Sequence, residues 1–206
     1  MARAEESYQT NAGVNKKHTF VYKVIVAGEG GVGKTTLVNR YATGKFNVDT
    51  RVTIGVAFQV FEANGKHDEK IKLQLWDFGG EQRFRFLLPS YCNGAHGVIL
   101  AFDLTRISSL LNLNNWIQLI KENTKNPVIL LIGTKKDLAE ENGKGMPDEF
   151  IHQFLSSVDL DENYFLKTSS KTGENVTNVF SRISSLILNA HINKNQQKNS
   201  EMFSRI

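Results

Sequence analysis

The sequence predicts a doubly wound α/β domain, in which a mostly parallel sheet carries helices on both faces. Two nearly all-apolar runs, residues 97–102 and 128–132, have the composition of parallel strands that are covered on both sides. Such runs alternate along the chain with segments of helical periodicity, as expected for strand–helix units. Residues 54–61 and 71–76 instead alternate apolar and polar side chains around an Asn-Gly dipeptide at 64–65, which indicates a hairpin and an antiparallel edge strand.

The full prediction is a six-stranded sheet with four main helices. The strands are residues 20–26, 54–61, 71–76, 97–102, 128–132 and 163–166, and the helices are residues 35–41, 108–121, 147–156 and 175–189. The last helix has apolar residues at spacings of three and four, which mark one buried face: Val176, Val179, Phe180, Ile183, Leu186 and Ile187. Residues 1–18 are expected to form a flexible leader and residues 191–206 a flexible tail around one domain at 19–190. A fold of this class binds its ligands at the carboxyl ends of the strands.

Composition excludes several classes of protein. Of the 206 residues, 40% are hydrophobic and 22% are charged, which is ordinary for a globular protein and unlike a disordered or collagen-like chain. The net charge of +4 is too small to predict a nucleic-acid surface. No segment approaches the roughly 20 apolar residues that a membrane span needs, and the N-terminus lacks a signal-peptide pattern. The single cysteine, Cys92, excludes an internal disulfide, fits a cytoplasmic protein and is predicted to be a half-buried structural thiol.

The termini are not expected to carry a lipid anchor. Residue 2 is Ala rather than the Gly that N-myristoylation requires, and no cysteine near Ile206 is available for prenylation. A location at the periphery of a membrane would therefore depend on a partner protein.

A glycine-rich motif follows the first predicted strand and opens the first predicted helix. Residues 28–35, with the sequence G-E-G-G-V-G-K-T, match the phosphate-binding pattern G-x-x-x-x-G-K-[ST]. Backbone N–H groups and the helix N-terminus would hold the phosphates, Lys34 would reach the β- and γ-phosphates, and the Thr35 hydroxyl would bind Mg²⁺. The alternative is a glycine-rich turn without a ligand. The motif alone does not choose between ATP and GTP.

Two loops at the same edge of the predicted sheet carry candidates for base recognition. Residues 134–137, T-K-K-D, follow the strand at 128–132, and residues 168–171, T-S-S-K, follow the strand at 163–166. The Asp137 carboxylate could accept hydrogen bonds from both N1–H and the 2-amino group of guanine, a pair of donors that adenine lacks. The stem of Lys135 could lie along the base. Taken alone, the first loop could equally be a solvated loop.

Taken together, these motifs resemble those of the Ras superfamily of small GTPases, most closely its Rab branch. Residues 134–137 are similar to the family's N/T-K-x-D element, and residues 169–171, S-S-K, to its S-A-K element. The resemblance places Phe46, eleven residues after Thr35, at the edge of the guanine. It implies a GTP/GDP switch that binds guanine nucleotide with Mg²⁺ and hydrolyses GTP by attack of water on the γ-phosphate. The implied nucleotide-binding residues are Gly30, Gly31, Val32, Gly33, Lys34, Thr35, Thr36, Phe46, Thr53, Gly80, Thr134, Lys135, Asp137, Ser169, Ser170 and Lys171.

The same resemblance implies two switch segments, near residues 46–58 and 78–91. Residues 53–58, T-I-G-V-A-F, are similar to the Rab sequence T-I-G-V-D/E-F, and residues 76–84, W-D-F-G-G-E-Q-R-F, to W-D-T-A-G-Q-E-R-F. The implied Mg²⁺ site comprises Thr35, Thr53 and Asp77, and Gly80 would direct its N–H to the γ-phosphate. We expect a monomer whose switch segments bind effector, exchange-factor and activating proteins.

The sequence departs from the family at the catalytic glutamine, where it has Glu81 followed by Gln82. A glutamine can donate to the γ-phosphate and accept from the attacking water, whereas an ionised glutamate only accepts and adds negative charge. Hydrolysis is therefore expected to be slow, unless Gln82 swings in through a shift of the Gly79-Gly80 loop. The candidate catalytic residues are Lys34, Thr53, Gly80, Glu81 and Gln82.

Two rival functions are also compatible with these motifs. One rival is a GTP-locked binding module with negligible turnover, and the other is an ATP-dependent kinase or pump.

Arg51 lies two residues before Thr53, and an arginine near this threonine can stabilise charge in cis in other GTPases. Its offset is not the expected one, so a solvated arginine is predicted.

Overall fold

The computed structural model describes residues 19–49, 51–64, 70–141 and 143–203. Its six-stranded sheet has the order β2-β3-β1-β4-β5-β6. The strands are β1 (Thr19–Ala27), β2 (Val56–Asn64), β3 (Lys70–Phe78), β4 (Gly97–Asp103), β5 (Val128–Thr134) and β6 (Phe165–Lys167). Strand β2 pairs with β3 in antiparallel register, and every other neighbouring pair is parallel. The predicted α/β architecture with one antiparallel edge strand is confirmed.

Helices cover both faces of the sheet. They are α1 (Lys34–Thr43), α2 (Leu88–Cys92), α3 (Ile107–Leu111), α4 (Leu113–Asn123), α5 (Lys136–Glu141), α6 (Asp148–Ser157) and α7 (Val176–Phe203), with 3₁₀ turns at Gln82–Leu87 and Glu162–Tyr164. Helices α1 and α7 pack on one face, and α2, α4 and α6 pack on the other. Cys92 is completely buried within α2, and burial raises the pKa of its thiol to about 11, so it is a packing residue.

The two apolar layers meet at the central strands. Every residue of β4 is buried, because the strand lies between two neighbours and under helices on both faces. On the α1–α7 face, Tyr41 stacks on Phe180 with ring centroids 4.0 Å apart and meets Phe61 of β2 edge-on. Trp116 of α4 is the largest fully buried side chain and fills the opposite face. These contacts hold the carboxyl ends of the strands in a fixed arrangement.

Three local differences from the prediction have physical causes. The helix predicted over 108–121 is two helices that meet at Asn112, whose side chain bonds to another loop, as asparagine often does at helix ends. The strand predicted over 163–166 begins only at Phe165, since Asp161 accepts a hydrogen bond from the N–H of Asn163 and caps a 3₁₀ turn. Helices α2 and α5 were not predicted, because they are too short to show a period.

Helix α7 is longer than predicted and continues to Phe203, so the backbone is helical over most of the expected tail at 191–206. No glycine or proline interrupts it, although the residues beyond Leu188 are largely polar and exposed. The leader at 1–18 and Gly65 of the predicted turn lie outside the described residues. Among the residues that the structure describes, no helix combines the length and hydropathy of a membrane span.

Ile183 tests the packing of α7 on the sheet. It is fully buried, and its side chain and that of Ile187 pack over Gly97 of β4. We expect Ile183→Ala to lower the free energy of unfolding by about 2–5 kcal/mol, because it leaves a cavity between α7 and β4. Urea unfolding measures the change. The exposed control Asn189→Ala, on the same helix, should stay within about 0.5 kcal/mol of the wild type. Equal losses in the two variants would contradict this packing.

Candidate functional site

A cavity of about 420 Å³ opens at the carboxyl ends of the strands. Most of the residues that the sequence motifs single out line it, namely Gly30, Gly31, Gly33, Lys34, Thr35, Thr36, Phe46, Thr53, Gly80, Thr134, Lys135, Asp137, Ser170 and Lys171. Val32 and Ser169 lie behind its wall and are fully buried. Five lining residues were not predicted, Asn47, Val48, Val52, Phe78 and Leu138. Arg51 also lines the cavity, and it is exposed to solvent as predicted.

The phosphate loop has a backbone that only glycine adopts easily. Gly28, Gly31 and Gly33 have φ angles of 137°, 73° and 94°. A Cβ on Gly28 would lie 2.2 Å from the carbonyl oxygen of Ala101, so this loop also presses against β4. Helix α1 then begins at Lys34 without a side-chain cap, which leaves a helix N-terminus suited to an anion at the cavity wall.

Lys34 brings a buried positive charge to this loop. It is only 5% exposed, and its Nζ donates to the carbonyl oxygens of Gly28 at 2.8 Å and Glu29 at 2.7 Å. Burial lowers the pKa of Lys34 to about 8, although the carboxylates of Asp77 and Glu29 oppose the shift. An ammonium held in this way is stabilised by an anion placed beside it.

Three oxygen-bearing side chains converge next to Lys34. The Thr35 hydroxyl contacts the Thr53 hydroxyl and donates to Oδ2 of Asp77 at 2.5 Å. Asp77 is buried, its Oδ1 receives no hydrogen bond from any described residue, and burial raises the pKa of this carboxyl to about 6. Hydroxyl and carboxylate oxygens are the donors that Mg²⁺ prefers, and a cation would compensate the buried oxygen of Asp77. The donor set therefore fits Mg²⁺.

The two segments that follow Thr53 and Asp77 lie directly against each other and against the phosphate loop. The N–H of Gly79 donates to the carbonyl oxygen of Gly55 at 2.8 Å. A Cβ on Gly80 would lie 2.3 Å from the backbone of Glu29 and Gly30, so no larger residue fits there without movement. This close approach makes the segment beginning at Gly79 sensitive to the position of the phosphate loop.

Glu81 is held outside the cavity. Its Oε2 lies 2.7 Å from Nε of Arg83, whose guanidinium also sits over the ring of Phe84 at 4.8 Å. Glu81 does not line the cavity, and Gln82 begins the 3₁₀ turn with a side chain outside the described part of the structure. The carboxylate at the position of the family's glutamine is thus directed to a neighbouring cation.

Hydrogen bonds join the two predicted base-binding loops and the phosphate loop. The Thr134 hydroxyl lies 2.5 Å from the carbonyl oxygen of Val32 and 2.8 Å from that of Phe102. The Ser169 hydroxyl donates to Oδ1 of Asp137 at 2.6 Å. Ser169 therefore orients the carboxylate that the sequence proposes for guanine, a role that the motif alone did not reveal.

Lys135 is fixed by an acidic residue that the sequence did not single out. It has a left-handed backbone with φ of 60°, and its Nζ lies 2.7 Å from Oδ2 of Asp103 at the end of β4. Burial alone would raise the pKa of Asp103, but hydrogen bonds from Lys135 and Thr105 lower it below its ordinary value. The ion pair draws the Lys135 stem along the cavity wall.

The phosphate loop is also tied to both ends of α3. Nη2 of Arg106 donates to the carbonyl oxygen of Gly30 at 3.0 Å, and Nδ2 of Asn112 donates to Oε1 of Glu29 at 2.6 Å. No local signal marks Arg106 or Asn112, because each is a single polar residue at a helix end.

Beside the cavity, three aromatic rings from β2, β3 and α2 form a partly exposed aromatic surface. Phe58 meets Trp76 with ring centroids 4.7 Å apart, and Trp76 meets Tyr91 at 5.2 Å. Phe58 is 49% exposed, and Ile54 and Phe86, in the two predicted switch segments, are also exposed. Exposed apolar clusters of this kind are typical of protein-binding surfaces.

Comparisons with known proteins agree with this geometry. The Ras family model matches residues 23–189. The Ras-related protein RABA4b of Arabidopsis thaliana is 34% identical over 184 residues, 89% of this chain and 80% of the relative. Rab-30 of Homo sapiens is 38% identical over 166 residues, which are 79% of this chain and 78% of the relative. SEC4 of Candida albicans is 32% identical over 184 residues, which are 88% of this chain and 84% of the relative. The chain therefore belongs to the Ras superfamily of small GTPases, in its Rab branch.

Proposed function

We propose that this chain is a GTP/GDP switch that binds guanine nucleotide with Mg²⁺ and hydrolyses GTP slowly. The main support is one cavity that is lined by the phosphate-loop residues Lys34 and Thr35 at one end and by Asp137 at the other. This spacing of a phosphate-binding end and a base-binding end suits a nucleoside triphosphate. Family membership supports GTP binding in general.

Base selection is assigned to Asp137, with Ser169 as its positioning partner. A carboxylate held by the Ser169 hydroxyl can accept from N1–H and the 2-amino group of guanine, whereas adenine would leave it without a partner. Lys135, drawn along the wall by Asp103, and Phe46, which is 37% exposed at the cavity, would pack on the base.

Phosphate binding is assigned to the glycine-rich loop and Lys34. The cation would be held through Thr35 and Thr53, with Asp77 accepting from Thr35, and it would neutralise charge on the β- and γ-phosphate oxygens. Lys34, next to the same phosphates, would counter the remaining negative charge.

The contacts between segments support the proposed switch. Thr53 lines the cavity and its hydroxyl contacts that of Thr35, and Gly80 lies on the backbone of the phosphate loop. Loss of the γ-phosphate would remove a ligand shared by both segments and release them. Because the aromatic surface of Phe58, Trp76 and Tyr91 adjoins these segments, its shape would change with the nucleotide. We assign effector, exchange-factor and activating proteins to this region.

Slow turnover is attributed to Glu81. A carboxylate cannot donate to a phosphate, Glu81 is turned to Arg83 outside the cavity, and an ionised Glu81 in the cavity would repel the γ-phosphate. The same ion pair favours the second candidate, a GTP-locked binding module with negligible turnover. Single-turnover hydrolysis with and without a cell extract that supplies an activator separates the two.

Base recognition can be tested with Asp137→Asn. Xanthine carries a carbonyl at carbon 2, to which the new amide can donate, so preference should move from guanine to xanthine nucleotides. We expect GDP affinity to fall at least about tenfold, equivalent to about 1.4 kcal/mol, and XDP affinity to rise. Competition against a fluorescent nucleotide measures both. Asp148→Asn, an exposed carboxylate on α6, is the matched control. Unchanged base preference in Asp137→Asn would refute the assignment.

Closure of the second switch segment can be tested with Gly80→Ala. The added methyl would meet the backbone of Glu29 and Gly30 at 2.3 Å, so the segment could not lie against the phosphate loop. We expect affinity for a non-hydrolysable GTP analogue to fall at least about tenfold relative to GDP affinity. Gly94→Asn, in open space and in a conformation that asparagine tolerates, should leave this ratio unchanged. A normal ratio in Gly80→Ala would argue against nucleotide-dependent closure.

The role of Glu81 can be tested with Glu81→Gln. A glutamine restores a group that both donates and accepts, and it removes a negative charge, so single-turnover GTP hydrolysis should become several-fold faster. Glu122→Gln, an exposed carboxylate on α4, provides the control for loss of charge. The electrostatic argument is wrong if the wild type already hydrolyses GTP as fast as Glu81→Gln.

A further inference from the structure

Arg51 differs in its hydrogen bonds and ion pairs from the other arginines whose side chains are described. Arg40 and Arg182 donate to backbone carbonyls, Arg83 pairs with Glu81, and Arg106 binds Gly30. Arg51 forms no hydrogen bond or ion pair with any other described residue, is exposed to solvent and is one of the residues that line the cavity. An arginine among the lining residues of a phosphate site, without an acidic partner in the described chain, is suited to bind an anionic ligand.

The chain position of Arg51 puts it beside the reacting end of that cavity. It lies two residues before Thr53, so their Cα atoms are at most about 7 Å apart. The Thr53 hydroxyl in turn contacts Thr35, and both line the cavity with Lys34 and Gly80. The side chain of Arg51 is therefore carried by the segment that would close on the γ-phosphate.

At the γ-phosphate end of the cavity, the charged side chains leave a role for a second positively charged side chain besides Lys34. Lys34 is buried and bonded to two backbone carbonyls, which fixes it beneath the loop. Glu81, at the position of the family's glutamine, is bound to Arg83 outside the cavity. Phosphoryl transfer spreads negative charge over the equatorial oxygens of the γ-phosphoryl group, and a planar guanidinium can bind two such oxygens at once.

We propose that Arg51 is a catalytic residue that stabilises in cis the charge on the γ-phosphoryl group during hydrolysis. The proposal rests on the GTP binding proposed above. In the step, the water oxygen bonds to the γ-phosphorus while the bond from that phosphorus to the β–γ bridging oxygen breaks. The electron pair of that bond stays on the β-phosphate of GDP, and the water proton leaves with the phosphate product. Arg51 keeps its protons and binds the γ-phosphoryl oxygens.

The test compares wild type, Arg51→Ala and Arg51→Gln in the full chain, with Lys72→Ala as control. Lys72 is an exposed cation on β3, and its removal changes net charge equally without touching the cavity. Three quantities are measured: single-turnover GTP hydrolysis at saturating protein, affinity for GDP and for a non-hydrolysable GTP analogue, and binding of aluminium fluoride to the GDP complex. Aluminium fluoride mimics the transferring phosphoryl group, so it reports on stabilisation of the transition state.

We expect both Arg51 variants to hydrolyse GTP about ten- to a hundredfold more slowly than the wild type. They should lose the aluminium fluoride complex that the wild type forms without an activating protein. The GDP affinity of both Arg51 variants should stay within about twofold of the wild type, because the diphosphate lacks the group that Arg51 binds. The control Lys72→Ala should match the wild type in all three measurements.

Each other outcome is decisive. Unchanged hydrolysis and aluminium fluoride binding in the variants overturns the catalytic role. A loss confined to affinity for the GTP analogue, with an unchanged rate at saturation, makes Arg51 a ground-state binding residue only and also overturns it. A wild type that binds GDP but neither hydrolyses GTP nor binds aluminium fluoride refutes the inference and leaves the proposed nucleotide site intact. A wild type that binds no guanine nucleotide refutes the proposed function itself. If Arg51→Ala does not fold, the rate and the aluminium fluoride binding of Arg51→Gln, whose folding is checked by its melting temperature, decide between these outcomes.

Discussion

The phosphate loop is held so close to its neighbours that two positions around it admit no Cβ. Gly28 lies against the backbone of Ala101 in the most buried strand, and Gly80 lies against the backbone of Glu29 and Gly30. The loop is therefore clamped between the sheet and the segment that follows β3. In the proposed switch, a change in what the loop binds would be transmitted to Gly80 through backbone contact, which is stiffer than contact through flexible side chains.

The electrostatics of the cavity follow from this clamping. Lys34 and Asp77 are both buried, and burial moves their pKa values toward neutrality from opposite sides, to about 8 and about 6. Each charge is costly in this place unless a ligand of opposite sign lies near it, so the pair suits an anionic phosphate bound together with a cation. Glu81 is bound by Arg83 at the edge of the site, and Arg51 is the one arginine among the described residues that line the cavity.

The cavity and the aromatic surface share their structural elements. Strand β2 begins just after Thr53 and Gly55 and carries Phe58, while β3 ends at Asp77 and Phe78 and carries Trp76. The hydrogen bond from Gly79 to Gly55 joins the two segments where they leave the hairpin. Any movement of these segments also moves the ends of the strands that present the rings. A partner that packs on Phe58 and Trp76 would thus detect the arrangement at the phosphate end of the cavity.

Local periodicity was enough to predict the strands and the antiparallel edge, and short motifs together with the resemblance to the Ras superfamily predicted most residues of the cavity wall. They did not predict the division of the helix at Asn112 or the extension of α7, where boundaries depend on tertiary contacts or on weak local preferences. Nor did they indicate which polar residues support the motifs. Asn112 and Glu29 are 83 positions apart, and Ser169 and Asp137 are 32 apart, so no local pattern links them.

The sequence by itself determined that a glycine-rich loop and a T-K-x-D loop would meet at one edge of a parallel sheet, since strands of one direction end on the same side. Only the tertiary structure decided which charges those loops would use. The fold pairs Lys135 with Asp103 and Glu81 with Arg83, and it leaves Arg51 at the cavity wall. The physical reason is that a side chain's partners depend on distances set by packing of the whole domain, which the order of residues does not express.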